Sequence, residues 1–272
     1  MIFDSTRSKE RRAGLREASY ILDSKSDVFA IHYSCESFNK YKSTTPRVTS
    51  VSIYNLITGE QRCFSIHLEA QIRSFDCDKL SSVELDASER SLLQKFFKFV
   101  KAHQGCLWVH WNMKNSKYGF DALSFRYKFL MQRSAPNVKM QYRYDLYVLL
   151  KKLYGPNFET NEYESKLLAL TQRNCLAIRG MMIGIQEADA FDRKEFQAVM
   201  ESSQGKSEAI GLIVKAAGEK TLKVNASLRD IYGISPLGLI LYVADNFVRI
   251  SKLWKITIGV VGVIFSMWKF IY

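Results

Sequence analysis

Hydrophobic and polar positions change rhythm several times along the chain, and each rhythm predicts an element. Val28 to Tyr33 is a short apolar run bounded by Asp27 and by Ser34-Cys35-Glu36, the pattern of a buried strand. Val48 to Tyr54 alternates in strand fashion. After the turn residues Thr58-Gly59-Glu60, the run Cys63 to His67 comes back, so the three runs predict an antiparallel meander. From Asp86 to His103 the period becomes helical: Leu92, Leu93, Phe96, Phe97 and Val100 share a face, with Asp86 or Ser88 placed to cap it. Cys106 to Trp111 is another buried strand. A helix around Asp121 to Met131, a fifth strand over Val138 to Tyr142 and a helix from Asp145 to Leu153 follow, the last stopped by Gly155-Pro156. Beyond Ser165 the pattern is helical. It includes a long helix from about Arg193 to Ala217 whose stripe is Phe196, Val199, Met200, Ile210, Ile213 and Val214.

A meander followed by alternating helices and strands predicts an α/β fold, a mixed sheet with helices on both faces. This is the element order of the ribonuclease H-like fold. The expected division is a basic N-terminal arm over residues 1–26, the α/β domain over 27–235, and a membrane-proximal segment with a hydrophobic helix over 236–272.

That final segment differs from everything before it. Ile256 to Trp268 carries no charge, Lys255 and Lys269 bracket it, and Trp254 and Trp268 stand where interfacial aromatics belong. Extended to Tyr272 it reaches the lower end of the ~17–25 residues that span a bilayer. Two readings stand: a membrane helix over 253–272, or a last core strand rich in β-branched residues. Arg249, Lys252 and Lys255 precede the run, so a spanning helix would leave the folded domain in the cytoplasm.

Charge adds a second theme. The 39 Lys and Arg exceed the 27 Asp and Glu, a net charge of +12 that favours polyanions, either nucleic acid or an acidic membrane surface. The 5 cysteines include no Cys-x-x-Cys pair, which argues against a zinc knuckle or a disulfide scaffold. Between Lys114 and Lys152 the basic residues Lys117, Arg126, Lys128, Arg133, Lys139 and Arg143 interleave with Tyr118, Phe125, Tyr127, Tyr142 and Tyr144. Such a stretch suits single-stranded nucleic acid; equally, the aromatics can face the core beneath a solvated basic surface.

Parallel first and fourth strands would bring His32, Ser34 and Glu36 beside His110 and Asn112 at one rim of the sheet, with His67 at the same edge. Phe29-Ala-Ile-His-Tyr-Ser-Cys-Glu-Ser-Phe38 resembles the first motif of the DEDD-type 3′–5′ exonucleases, a strand running into Asp-x-Glu. Val109-His-Trp-Asn112 with Phe120-Asp-Ala-Leu123 resembles their second, and Tyr144-Asp-Leu146 and Ser165 to Leu170 resemble the helices downstream. The His-Tyr-Ser-Cys-Glu-Ser-Phe and His-Trp-Asn-Met segments are also similar to bacterial proteins with no assigned activity.

The resemblance covers about residues 27–218 and implies two-metal phosphodiester hydrolysis. It assigns catalysis to Glu36, Asp121 and His110, and a divalent metal, Mn or Mg, to Glu36, His32 and Asp121. Substrate contacts fall to Asn112, Lys114, Lys117 and Arg126. The chain also departs from the pattern. Ser34 takes the place of the first aspartate, and Met200 to Lys206 shows no His or Tyr followed by Asp. A hydroxyl and a lysine in ligand positions lose most of the charge that holds magnesium, while imidazole ligands favour manganese, zinc or iron. Each histidine also has a plainer reading as a satisfied interior side chain. Gly205-Lys206-Ser207 lacks the earlier glycine of a phosphate loop. The expectation is a membrane-tethered, exonuclease-like, nucleic-acid-binding protein with metal-dependent hydrolysis. Its counterpart is an inactive exonuclease-like fold serving as a membrane-anchored protein-interaction module.

Overall fold

Gly59 adopts φ 72°, and Asn55 Oδ1 accepts hydrogen bonds from Ile57 N and Thr58 N. The chain therefore reverses, and β2 (Val48–Asn55) pairs antiparallel with β3 (Gln61–Ser65). The computed structural model describes residues 6–37, 45–114, 117–160 and 165–246. β1 (Val28–Cys35) lies in the middle of a five-stranded mixed sheet of order β3-β2-β1-β4-β5. It runs antiparallel to β2 and parallel to β4 (Leu107–His110), as expected from the strand order, with Ile31 opposite His110. β5 (Arg143–Asp145) is parallel to β4. Helices cover both faces.

Side chains alternate across β1. Phe29, Ile31 and Tyr33 enter a core with Trp108, α3 (Ser82–Ala102) and α4 (Phe120–Met131). Val28 and Ala30 enter a second core, on the opposite face, with α1 (Thr6–Leu22), α5 (Leu146–Tyr154), α6 (Lys166–Arg173) and the long α8 (Phe196–Gly218). Under α8 the sheet offers small side chains, Ser34, Ser50 and Ser52, and α8 answers with glycine. A methyl group on Gly211 would sit 2.4 Å from Tyr54 Cδ1. Gly211→Ala is therefore expected to lower stability by about 1–3 kcal/mol in urea unfolding, more than the helix propensity alanine adds.

Several boundaries differ from the sequence reading. α3 starts a turn early, because Ser81 and Glu84 form a capping box ahead of Asp86 and Ser88. Ser65 caps α2 (Ile66–Ile72), so His67 lies in a helix rather than at the end of a strand. Met140–Tyr142 is a 3₁₀ turn, which moves the fifth strand to Arg143–Asp145. The basic N-terminal arm is α1, docked on the carbonyl end of α5: Arg7 Nη2 donates to Lys152 O at 2.6 Å and Arg11 Nη1 to Leu153 O at 2.6 Å. Later come α7 (Gly184–Asp192), α9 (Leu228–Tyr232) and a further helical stretch over 236–246. Among the described residues no helix is long and apolar enough to cross a membrane. The apolar run expected to do so, residues 253–272, lies outside them.

Candidate functional site

Past His110 at the end of β4, where β1 runs on to Cys35, residues of both strand ends, α7 and α8 line a cavity of about 480 Å³. His32, Ser34, Cys35 and Glu36 come to it from β1 and the residue after it, Trp111 and Asn112 from the turn after β4, and Glu187 and Lys206 from α7 and α8. Tyr118 closes one side, and Ile183 and Ile185 add an apolar wall.

Glu187 is the electrostatic centre. Lys206 Nζ lies 2.8 Å from its Oε2, and Ser202 Oγ donates to its Oε1 at 2.7 Å. Burial opposes the charge, but His32 and Lys206 outweigh it and hold the carboxyl at about 2. Burial pushes the Lys206 ammonium down, and Glu187 works against that. His32 is depressed by burial and then by Lys206, so it stays neutral near pH 7. The Cys35 thiol is pushed up to about 12, chiefly by burial, which leaves it protonated and unreactive.

Tyr118 Oη lies 3.0 Å from Tyr33 O and 3.4 Å from His32 Nδ1. His32 Nε2 lies 4.0 Å from Glu187 Oε2, too far for a hydrogen bond, and has no hydrogen-bond partner. Buried Ser34 Oγ is unpartnered as well. The cavity thus presents an imidazole nitrogen, a carboxylate oxygen and a hydroxyl to whatever enters it.

The sequence-predicted residues are dispersed. His32, Glu36 and Asn112 line the cavity. Glu36 is held by Arg47 Nη1 at 2.7 Å, and the same guanidinium reaches Asp86 at 2.6 Å. His110 points to the opposite face of the sheet. Its Nδ1 accepts from Met113 N at 3.2 Å, and burial takes it down to about 4, so it is a neutral interior imidazole there. Asp121 is 72% exposed on the first turn of α4, 3.3 Å from Arg143, and lines a separate depression with Phe125 and Lys128. Lys114 pairs with Asp145 at 3.1 Å, and Lys117 is exposed.

Arg126, expected to contact substrate, is buried and forks onto the fully buried carboxylate of Glu89 at 2.7 and 2.6 Å. Tyr127 is in the core and takes Arg133 over its ring, so part of the basic-aromatic stretch is internal structure. No group of three or more His, Cys, Asp or Glu placed to hold a metal ion is found among the described residues.

Sequence reasoning misses Glu187, and it reads Lys206 only as a lysine in a ligand position and not as a buried ion-pair partner. The signal for that role is its place on the apolar stripe of α8, four residues before Ile210 and seven after Val199. A charge on a buried stripe needs a partner. No protein-family model matches the chain, and no curated protein matches it either.

Proposed function

We propose that this chain is a ribonuclease H-like, exonuclease-type domain that binds at its strand rim without hydrolysing, and that it is held at a membrane by its apolar C-terminal run. The strand order, with an antiparallel meander leading to parallel β4 and β5, supports the fold. One observation carries the loss of hydrolysis: where the last long helix of such a domain would supply an acidic metal ligand, α8 presents Lys206, already ion-paired to Glu187. Ser34 is neutral, Glu36 is neutralised by Arg47, and Asp121 stands elsewhere. This donor set does not fit two divalent cations, which need a concentration of negative charge.

What the rim does fit is a hydrogen-bond donor. With the His32 proton on Nδ1, a nitrogen bearing two hydrogens can bridge His32 Nε2 and Glu187 Oε2, and because Lys206 already balances Glu187, a neutral amino group suits the place better than an ammonium. Trp111, Tyr118 and Ile185 suit a planar ring behind it. An amino-substituted nucleobase combines both.

Two measurements test this reading on the full-length chain. Incubated with end-labelled single-stranded DNA and RNA in magnesium or manganese, the chain is expected to leave both intact. Cleavage that vanishes in Glu36→Gln would overturn the loss of hydrolysis. In thermal unfolding, adenine is expected to raise the midpoint and hypoxanthine, which lacks the amino group, to leave it unmoved. Equal shifts would remove the amino-recognition argument.

A further inference from the structure

The helical stretch over 236–246 is inside out compared with an ordinary surface helix. Its exposed positions are Pro236, Leu239, Ile240, Val243 and Ala244, which recur at helical spacing and are all apolar. Leu239 is 64% and Ile240 62% exposed, and Ile234 just ahead of the helix is 82% exposed. The acidic residue is on the inner side. Asp245 is bound by Arg11 Nη2 at 2.5 Å and Lys220 Nζ at 2.6 Å, with the Tyr232 hydroxyl at 3.3 Å. Gly238 makes the approach close, since a Cβ there would sit 2.2 Å from Tyr232 O.

Two cations, Arg11 on α1 and Lys220 in the turn after α8, therefore fix the rotation of this stretch and hold its apolar stripe outward. Turning the stripe inward would break both ion pairs and carry the Asp245 carboxylate away from the partners that keep it below its usual range against burial. The occupant follows from what the chain does next. Within about ten residues it enters the uncharged run Ile256 to Trp268, and the interval holds Arg249, Lys252, Trp254 and Lys255. Cations and an aromatic between two apolar segments match the headgroup layer of an anionic bilayer.

We propose that the 236–246 helix lies in the plane of a membrane interface, with Leu239, Ile240 and Val243 among the acyl chains, and that the Asp245 clamp sets how the domain faces the bilayer. This rests on the membrane attachment proposed above and adds a second, in-plane contact to it. The stripe is narrow and short, so it supplies orientation, and the downstream run supplies retention.

The test uses the full chain with vesicles of phosphatidylcholine and phosphatidylglycerol carrying a photoactivatable acyl chain, followed by peptide mapping of lipid adducts. Adducts are expected on residues 236–246 as well as downstream. In a Leu239→Asp/Ile240→Asp variant, which alters exposed positions only, those on 236–246 should fall about tenfold while the downstream adducts persist. Flotation with adducts confined to the downstream run would overturn the in-plane contact and leave the attachment standing. Chain-to-chain shielding of 236–246 in place of lipid adducts would overturn it in favour of a second copy. Failure to float at all would sink the attachment itself, and the inference with it.

Discussion

Arg126→Ala is expected to lower the free energy of unfolding by about 3–5 kcal/mol, the range for removing one partner of a buried ion pair. Arg126 meets Glu89 through two short hydrogen bonds, and Glu89 has no exposure to solvent. The same carboxylate accepts from Val48 N at 2.8 Å and has Arg47 Nε at 3.8 Å. Arg47 in turn holds Glu36 and Asp86. One network therefore ties the end of β1, the start of β2, α3 and α4, and the alanine variant leaves its most buried charge short of its main partner. Burial already pushes the Glu89 carboxyl above its ordinary range despite Arg126. Glu89→Leu combined with Arg126→Met removes both charges and is expected to recover most of the loss. Urea unfolding with unchanged slope measures this. A loss below about 1 kcal/mol would free Arg126 for ligand binding and return it to the role its sequence context suggested.

Period-two and helical apolar patterns made the architecture legible. The central place of β1, its antiparallel partner β2 and its parallel neighbour β4 follow from three apolar runs, a glycine turn and one helical crossover. Harder to read was which face each rim residue takes. His32 and His110 both lie near strand ends, yet His110 is registered with Ile31, so the pleat sends the two imidazoles to opposite faces. A motif that reads them as one cluster ignores that parity. Asp121 stands apart from the rim for another reason: helix α4 starts at Phe120 and carries its first-turn carboxylate outward, toward Arg143. Glu187 and Lys206 are far apart in sequence and meet only because α7 folds back on α8, a long-range contact that no local spacing announces.

Lys206→Met should reverse the sign of the acid dependence of stability. In the parent, Glu187 titrates at about 2 when folded against an ordinary 4.5, so its contribution is complete above about 4.5 and is lost as the pH falls toward 2. His32 acts in the same direction. Depressed below 6.5 in the folded state, it stays neutral while the unfolded chain takes up its proton, so folding weakens below about 6.5. Methionine removes the counter-cation from Glu187 and the repulsion from His32. Folded, the pair then holds a proton more tightly than the unfolded chain does, either on the desolvated carboxyl or as an imidazolium facing it. Stability of the variant rises as the pH is lowered from 8 toward about 5, whereas that of the parent is flat and then falls. At pH 8 the variant should be about 3–5 kcal/mol less stable, and by pH 5 about 1–2 kcal/mol of that gap should close. Urea midpoints of both proteins across this range decide the matter. Parallel profiles would mean that Glu187 is not balanced by Lys206. The rim would then hold an uncompensated carboxylate, and the case against metal-dependent hydrolysis would lose its main support.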